Sequence, residues 1–374
     1  MPEKIQKLFV YGTLLQGEPR SNHLDDCKLI QIIDVPGKLY NTGKGYPAAV
    51  FEEEESSGTV TGELYSLCAN HQQKFNELDE VEGVVAGLYM RRTLTHRGHS
   101  FHVYEAGEKL KKSMTDEDKI LPGSWRRHAS KALKDPVGFA IRFEKSQRKY
   151  DEEQPSDDFD GTIFLRGDIP VLVTAPHATT HVRVKMTKSC ELYTGALSVI
   201  SHSLTGAHAL YTHRMSNLDP NYYDDCPFKE RLESLMNEHD IRFVIDIHGT
   251  GSGRPYDIFP GVGLDGEFLI GKQFYLAKLY ETALREKILI GSLDIFPAAK
   301  QMTVAKFAAT KLGVPAMQVE INRRLRLPED NPTQFEKLVD FLSSYILSIN
   351  EKKLTVPRIN NFHVHTRLKS GYDE

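Results

Sequence analysis

Long apolar runs are missing from this 374-residue chain, and no stretch approaches the roughly 18 consecutive apolar residues of a membrane helix. The amino terminus, MPEKIQKLFVYGTL, is charged and then only briefly apolar, so it lacks the core of a secretory signal. A basic excess is missing too. The 47 Lys and Arg stand against 51 Asp and Glu, a net charge of −4, which argues against a general nucleic-acid binder and leaves room for a local basic pocket. Cysteine is scarce: Cys27, Cys68, Cys190 and Cys226 fit neither a zinc knuckle nor a CxxC pair, and read as reduced thiols of a cytoplasmic protein. There is no internal repeat and no low-complexity tract, and no pattern that speaks to oligomeric state. What is present is ordinary for a soluble globular chain, 40% hydrophobic and 26% charged, with length for two or three domains.

The chain has two textures. Residues 5–126 read as β-rich, with strands in KLFVYGTL, GTVTGELYSL and the pair around HRGHS. One helix is predicted in NHQQKFNELDEVEG, where Phe75, Leu78 and Val81 recur at helical spacing. Residues 127–157 read as a connector, because EKSQRKYDEEQPSDDFD is charged and nearly free of aliphatic side chains; a solvated insertion loop would read the same way. From residue 158 to 350, strand candidates TIFL, VLVTA, HALYT, RFVIDI, ILI and AMQVEI alternate with helix candidates at 191–204, 226–238, 268–286, 302–311 and 331–349. That alternation predicts an α/β sheet covered by helices. Residues 351–374 read as an extended polar tail.

In VYGTLLQG, Gly12 and Thr13 could turn their N–H groups towards a carboxylate, although a plain strand-to-loop turn has the same sequence. Glu82 closes the predicted helix before Gly83. A carboxylate there faces the negative end of the helix dipole, at a cost of up to roughly 1 kcal/mol, and burial would raise its pKa further. Both effects suit general acid/base work, while a solvated helix end is the plain alternative. The ordered set VYGTLLQG, GKLY, YPAAV, GELY, LDEVEG, YMRR, VYEAG and PGSWR resembles the γ-glutamyl cyclotransferase-like domain, above all the γ-glutamylamine cyclotransferases. The resemblance implies a small mixed β-barrel over residues 5–126. It also implies cyclisation of a γ-glutamyl amide to 5-oxoproline with release of an amine. Glu82 falls on the family's general base, and the turn Tyr11, Gly12, Thr13, Leu14 would hold the substrate α-carboxylate.

The second half opens with VLVTAPHATTHVRVKMTKSCELYTGAL, where His177 ends a predicted strand and Glu191 follows fourteen residues later. His248 ends another strand in VIDIHG, and sites in parallel sheets form at carboxyl ends of strands. Two imidazoles and a carboxylate around an open position make a catalytic zinc arrangement. Asp246 shares a strand face with His248 and could orient it. Glu320, inside the apolar AMQVEI, calls for a reason to be buried: a general base towards metal-activated water, or an ion pair with Arg323, Arg324 or Arg326. Candidates for a substrate carboxylate are Arg214, Arg254 and Arg323 or Arg324, with Asn217 and Asn221 as further polar contacts. His181, His202, His208, His213 and His239 read as structural.

The set PHATT, KSCELYTGAL, DPNYYDD, DIHGTG, RPYDI and VEINRRLR resembles the N-formylglutamate amidohydrolase group, which is similar to the zinc carboxypeptidases. The resemblance covers about residues 160–348. It implies a carboxypeptidase-like α/β sheet, with Zn2+ on His177, Glu191 and His248 and with Glu320 as base. Family members often carry Asp where Glu191 stands, and the close His-x-x-Glu pair is absent because residue 180 is Thr. Such N/O ligands also accept manganese or cobalt. The two halves together predict a cytoplasmic, bifunctional enzyme of γ-glutamyl amides, with isopeptides or γ-linked glutamyl chains in view, and with no nucleic-acid or membrane partner. The alternatives are a metal-dependent deacylase or peptidase whose N-terminal domain only recognises, and a non-catalytic metabolite-binding protein.

Overall fold

The computed structural model describes residues 5–52, 58–67, 70–130, 135–151, 153–155 and 160–350. Cys68, the tail 351–374 and part of the charged run after Glu144 lie outside the described residues. The N-terminal strands are β1 (Lys7–Val10), β2 (Lys28–Asn41), β3 (Pro47–Phe51), β4 (Thr59–Ser66), β5 (Tyr89–His96) and β6 (His99–Ala106), with helices α1 (His71–Val81) and α2 (Glu108–Lys111). They form one sheet in the order β3-β2-β4-β1-β6-β5, in which β1 and β6 run parallel and the other pairs antiparallel. The long β2 is bulged between Leu29 and Gln31 and serves both β3 and β4. Gly62 permits the tight curl, because a Cβ there would lie 2.3 Å from the Val10 carbonyl oxygen. The sheet thus bends until β3 meets β6, but its edge strands do not pair. It is a curled half-barrel rather than the closed small barrel expected from the sequence.

Two helices follow, α3 (Trp125–Ser130) and α4 (Pro136–Gln147). They fall largely within residues 127–157, read from the sequence as a connector, and they pack into the core. Phe139, Ala140 and Phe143 of α4 are fully buried, at spacings of one face of a helix, and Glu144 and Gln147 are buried beside them. A single apolar core runs from the N-terminal sheet through Trp125, Phe139 and Phe143 into the C-terminal sheet. Polar contacts reinforce the seam: Arg142 donates to the Gly17 carbonyl at 2.9 Å, and Tyr150 donates to the Cys27 carbonyl at 2.9 Å. We expect Phe143→Ala to cost about 3–5 kcal/mol in urea denaturation. A side chain on a solvated linker would change stability by less than about 0.5 kcal/mol.

The C-terminal strands are β7 (Thr162–Leu165), β8 (Ile169–Ala175), the hairpin β9 (His181–Arg183) and β10 (Met186–Lys188), β11 (Ala207–Thr212), β12 (Phe243–Thr250), β13 (Ile258–Gly261) and β14 (Ala316–Asn322). Helices α5 (Thr194–Thr205), α6 (Pro227–Glu238), α7 (Phe274–Glu286), α8 (Val304–Thr310), α9 (Arg323–Arg326) and α10 (Pro332–Ile349) cover them. The sheet order is β13-β14-β12-β8-β11-β7, four parallel strands with an antiparallel strand at each edge. ILI makes only an isolated bridge, from Ile290 to Ile258. The edge belongs to β13, whose sequence IFPG carries the proline and glycine that argue against a strand.

Alternation along each strand sorts the two faces. Odd-numbered Val171, Val173, Phe243, Ile245, Met317 and Val319 join the core under α5, α7 and α10. Even-numbered Leu172, Val244 and Ala316 pack against α6 and α8. Further along the same face, the even positions become Thr174, Asp246, His248, Gln318 and Glu320, all near the carboxyl ends of their strands. Among the described residues, no helix is long and apolar enough to cross a membrane.

Candidate functional site

The N-terminal sheet carries a cavity of about 210 Å³ where β1 runs into the Tyr11–Leu14 turn. Glu82 lines it from the carboxyl end of α1, together with Tyr46, Tyr89 and Tyr104. Its backbone N–H still donates to the Leu78 carbonyl at 2.9 Å, so the last helical turn fixes its direction. Burial pushes its carboxyl up to about 7, against a smaller opposing pull from the Arg20 guanidinium. Across the cavity, the Thr13 and Leu14 N–H groups donate to no acceptor among the described residues. Tyr11 is held by its hydroxyl, which donates to the Tyr104 carbonyl at 2.5 Å. The structure brings Glu82 and the turn, both singled out in the sequence, to one pocket; Arg20, which the sequence did not single out, lines the same cavity.

In the C-terminal half, His177, Glu191 and His248 converge, each offering a ligand atom within 4.8 Å of the others. Glu191 sits between the imidazoles, its carboxylate oxygens 3.0 Å from Nδ1 of His177 and 3.0 Å from Nδ1 of His248. It lies in the loop before α5, and three contacts pin that loop. The Glu191 N–H donates to the His177 carbonyl at 2.8 Å, Tyr193 N–H to the Glu144 carboxylate at 3.0 Å, and Arg326 Nη1 to the Leu192 carbonyl. Tyr193 adopts a left-handed φ of 67°, a conformation a non-glycine residue keeps only when its surroundings impose it. The chain thus returns a carboxylate fourteen residues after His177 because the helix-leading loop folds back on the strand end.

The outer nitrogens of both imidazoles meet carboxylates. His177 Nε2 is 2.8 Å from Asp219, and His248 Nε2 is 3.2 Å from Asp246, as the alternation along β12 requires. Asn221 Nδ2 also reaches His248 Nε2 at 2.8 Å. Burial alone would lower both histidines, but the carboxylates outweigh it and raise them. The same imidazoles overcome the burial that would raise Glu191 and hold its carboxyl well below the usual range. Glu320 stands opposite His248 in the parallel register of β12 and β14 and accepts from Gln318 at 3.0 Å. Burial pushes its carboxyl up to about 7, the neighbouring imidazole of His248 pulling the other way and Glu191 adding to the rise.

The donor set fits a divalent cation. Two Nδ1 atoms and a carboxylate face one point, and each imidazole is oriented from behind by an acid. A second grouping, His177, His181 and Asp219, shares His177 through its other nitrogen. There Asp219 already accepts from Arg183 Nε at 2.6 Å and from Asn221 N–H at 2.8 Å, so its oxygens serve orientation. His181 was read as structural, but its ring stacks on His177 with centroids 3.9 Å apart, and burial lowers it to about 4. His202, His208, His213 and His239 sit elsewhere in the core. We expect Asp219→Asn to weaken metal affinity about 10–100-fold in a competition titration.

The arginines fall differently from the sequence reading. Arg214 is fully buried at the seam between the halves, where it pairs with Glu153 at 3.2 Å and donates to the Leu29 carbonyl at 2.8 Å. It is an inter-unit strut and not a substrate contact. Arg254 is exposed and lies over Phe296, and Arg323 is exposed on α9. Arg324 pairs with Asp257 at 2.6 Å, and Asn217 is exposed. The arginine beside the triad is Arg326, buried, with its Nε unpartnered and its guanidinium in the field of Glu191, Glu144 and Glu320. Gly249 makes room for it, since a Cβ there would lie 2.3 Å from the guanidinium. Nothing in RRLR alone distinguishes it from its neighbours; only its burial against the strand end does.

Residues 8–127 match the family described as Gamma-glutamyl cyclotransferase, AIG2-like. A curated relative, the Gamma-L-glutamyl-butirosin B gamma-glutamyl cyclotransferase of Niallia circulans, is 34% identical over 77 residues, which is 20% of this chain and 47% of the relative. The chain therefore spans about half the length of that curated relative. Among solved structures, an AIG2-like protein from Mus musculus is 20% identical, covering 31% of this chain and 83% of that one with a TM-score of 0.24. A bacteriophage poly-gamma-glutamate hydrolase is 14% identical, covering 50% of this chain and 87% of that one with a TM-score of 0.34.

Proposed function

Because the N-terminal region is a γ-glutamyl cyclotransferase-like domain, we propose that the chain cyclises γ-glutamyl amides, releasing 5-oxoproline and a free amine. We propose further that the C-terminal half is a divalent-metal amidohydrolase of a glutamyl-type amide or peptide bond. The observation that carries the first reading is Glu82, whose carboxyl burial pushes up to about 7 and which lines one cavity together with the Tyr11–Leu14 turn. In this reading the turn holds the substrate α-carboxylate. Glu82 takes a proton from the α-ammonium, and the freed amine attacks the γ-carbonyl. A new N–C bond closes the five-membered ring, the old amide C–N bond breaks, the ring nitrogen sheds a second proton as it becomes the lactam N–H, and the departing amine leaves with both protons, the first handed over by Glu82. Holding the amine against the carbonyl supplies most of the acceleration, and no nucleophilic side chain is needed.

For the second reading, His177, His248 and Glu191 would hold the cation, with zinc, manganese and cobalt all compatible with these donors. When bound, a divalent cation lends Lewis acidity to a scissile carbonyl and to water. Asp219 and Asp246 keep the imidazoles turned, and Glu320 would move a proton from water to the leaving nitrogen. Incubation of the purified protein with γ-glutamyl amides, with and without chelator, tests both readings by mass spectrometry. The expected outcome is chelator-resistant 5-oxoproline and a separate, chelator-sensitive hydrolysis product. Absence of 5-oxoproline with every amide overturns the first reading, and chelator-resistant hydrolysis overturns the second.

A further inference from the structure

A cavity of about 540 Å³ lies at the amino ends of β8 and β12, the opposite end of the sheet from the metal triad. Its volume is that of a small-molecule site. Arg166 lines it from the loop between β7 and β8, His208 from β11 and His239 from the end of α6. His208 is 5% exposed, and its Nδ1 accepts from the Gly167 N–H at 3.1 Å. That bond fixes the tautomer of the neutral ring. The proton sits on Nε2, which donates to no acceptor among the described residues. The rings of His208, His239 and Phe164 stack on one another, with centroids 5.6, 5.1 and 5.3 Å apart. Burial, then His239, then the Arg166 guanidinium lower His208 to about 4, so its ring is neutral near pH 7. Burial and Arg166 lower His239 as well.

Most other charges around the cavity already have partners. Asp168 pairs with Arg127 at 2.7 Å, and Asp240 pairs with Arg242 at 2.6 Å. Glu238 accepts from Ser234 at 2.6 Å, and it acts on His239 in the opposite sense to Arg231, which lies over the Phe164 ring. Arg166 is exposed, and no carboxylate among the described residues lies within 4.0 Å of it. One guanidinium and one buried imidazole N–H are therefore left over, beside an apolar wall of Pro170, Phe274 and Ile349. Such a pair of donors suits a single carboxylate, and the wall suits an uncharged body attached to it. We propose that this cavity binds a small monocarboxylate with an apolar or aromatic body, its oxygens taking hydrogen bonds from Arg166 and from Nε2 of His208.

The test titrates 3-phenylpropionate, its amide, 3-phenylpropylamine and inorganic phosphate into the full chain, followed by calorimetry and by NMR of the histidine rings. The proteins compared are wild type, Arg166→Gln and His208→Asn. Arg166 is exposed, so its replacement leaves the packing alone, and Asn keeps an acceptor for the Gly167 N–H while removing the outer donor. We expect the wild type to bind the acid at least about tenfold more tightly than the amide or the amine, because bonds to a charged group are the strong ones. The bound acid should raise the titration midpoints of His208 and His239, since it offsets the positive charge that Arg166 sets beside them. Arg166→Gln should lose about tenfold in affinity for the acid and keep the affinity for the amide. His208→Asn should weaken the acid in the same selective way, and if that variant does not fold, Arg166→Gln alone decides. Equal affinity for acid and amide would mean that charge is not read. Phosphate bound as tightly as the acid would mean that the apolar wall is not read, and unmoved His208 and His239 signals would mean that the acid binds elsewhere. Each of these results overturns the proposal, as does failure of every probe to bind.

Discussion

Glu82→Gln is expected to lower 5-oxoproline release by about 10²–10⁴-fold, the usual range for a lost general base. The substitution keeps the size and shape of the side chain, so a domain that only docks a ligand would tolerate it. In the wild type the rate should rise as pH passes through about 7, because the base works deprotonated and burial holds its proton up to that point. Stability moves the opposite way. The unfolded chain gives up this proton near 4.5 while the folded chain keeps it to about 7. Between those values the folded state binds more protons, so the group's contribution to stability falls as pH rises. Above pH 7 the charged carboxylate is buried at a cost, and Glu82→Gln should therefore be more stable than wild type at pH 8 by about 1–3 kcal/mol. A variant that is both inactive and more stable at pH 8, with the gain fading towards pH 4, is the combined signature. An active variant, or one equally stable at every pH, sinks the assignment.

His248→Ala should empty the C-terminal site and abolish its hydrolysis while leaving 5-oxoproline release in place. Elemental analysis should find about one divalent metal per wild-type chain, since the His177, Glu191 and His248 set would hold one ion, and much less in the variant. Glu320→Gln separates binding from chemistry: it should retain the metal and lose about 10²–10⁴-fold in hydrolysis. Full chelator-sensitive hydrolysis in His248→Ala would end the metal assignment. Metal loss in Glu320→Gln would mean that Glu320 is a ligand rather than a proton carrier.

How far the sequence spoke depends on the kind of residue. Strand ends with period-two alternation announce themselves, which is why Asp246, His248 and Glu320 stand out in the sequence and share one sheet face, with His177 in the turn just past β8. Glu191 lies in a loop, where its spacing after His177 marks it as a third ligand but no period aims it; the bonds that aim it come from α9, α4 and the His177 carbonyl. His181 and Asp219 were missed because their roles depend on a stacked ring and on a loop folding back, neither of which has a linear period. Arginines were the hardest to rank, since a guanidinium suits a seam, a surface or a site equally well. Arg214 went to the first, Arg254 and Arg323 to the second, and Arg326, unchosen, to the third. The charged run after Glu144 concealed α4, because its outer face is polar and its inner face rests on Phe139 and Phe143.

That helix also bears on how the two halves can be separated. Tyr193 beside the triad hangs from Glu144 of α4, and Phe139 of the same helix closes over Gly17 in the other half. Severing the chain within residues 136–147 would expose the apolar face of α4 and the core it packs on in both fragments. A separately expressed N-terminal piece ending at residue 126 should therefore clump unless α4 travels with it. Each half is thus kept in shape by the other, and removing either should leave its neighbour with an uncovered apolar face.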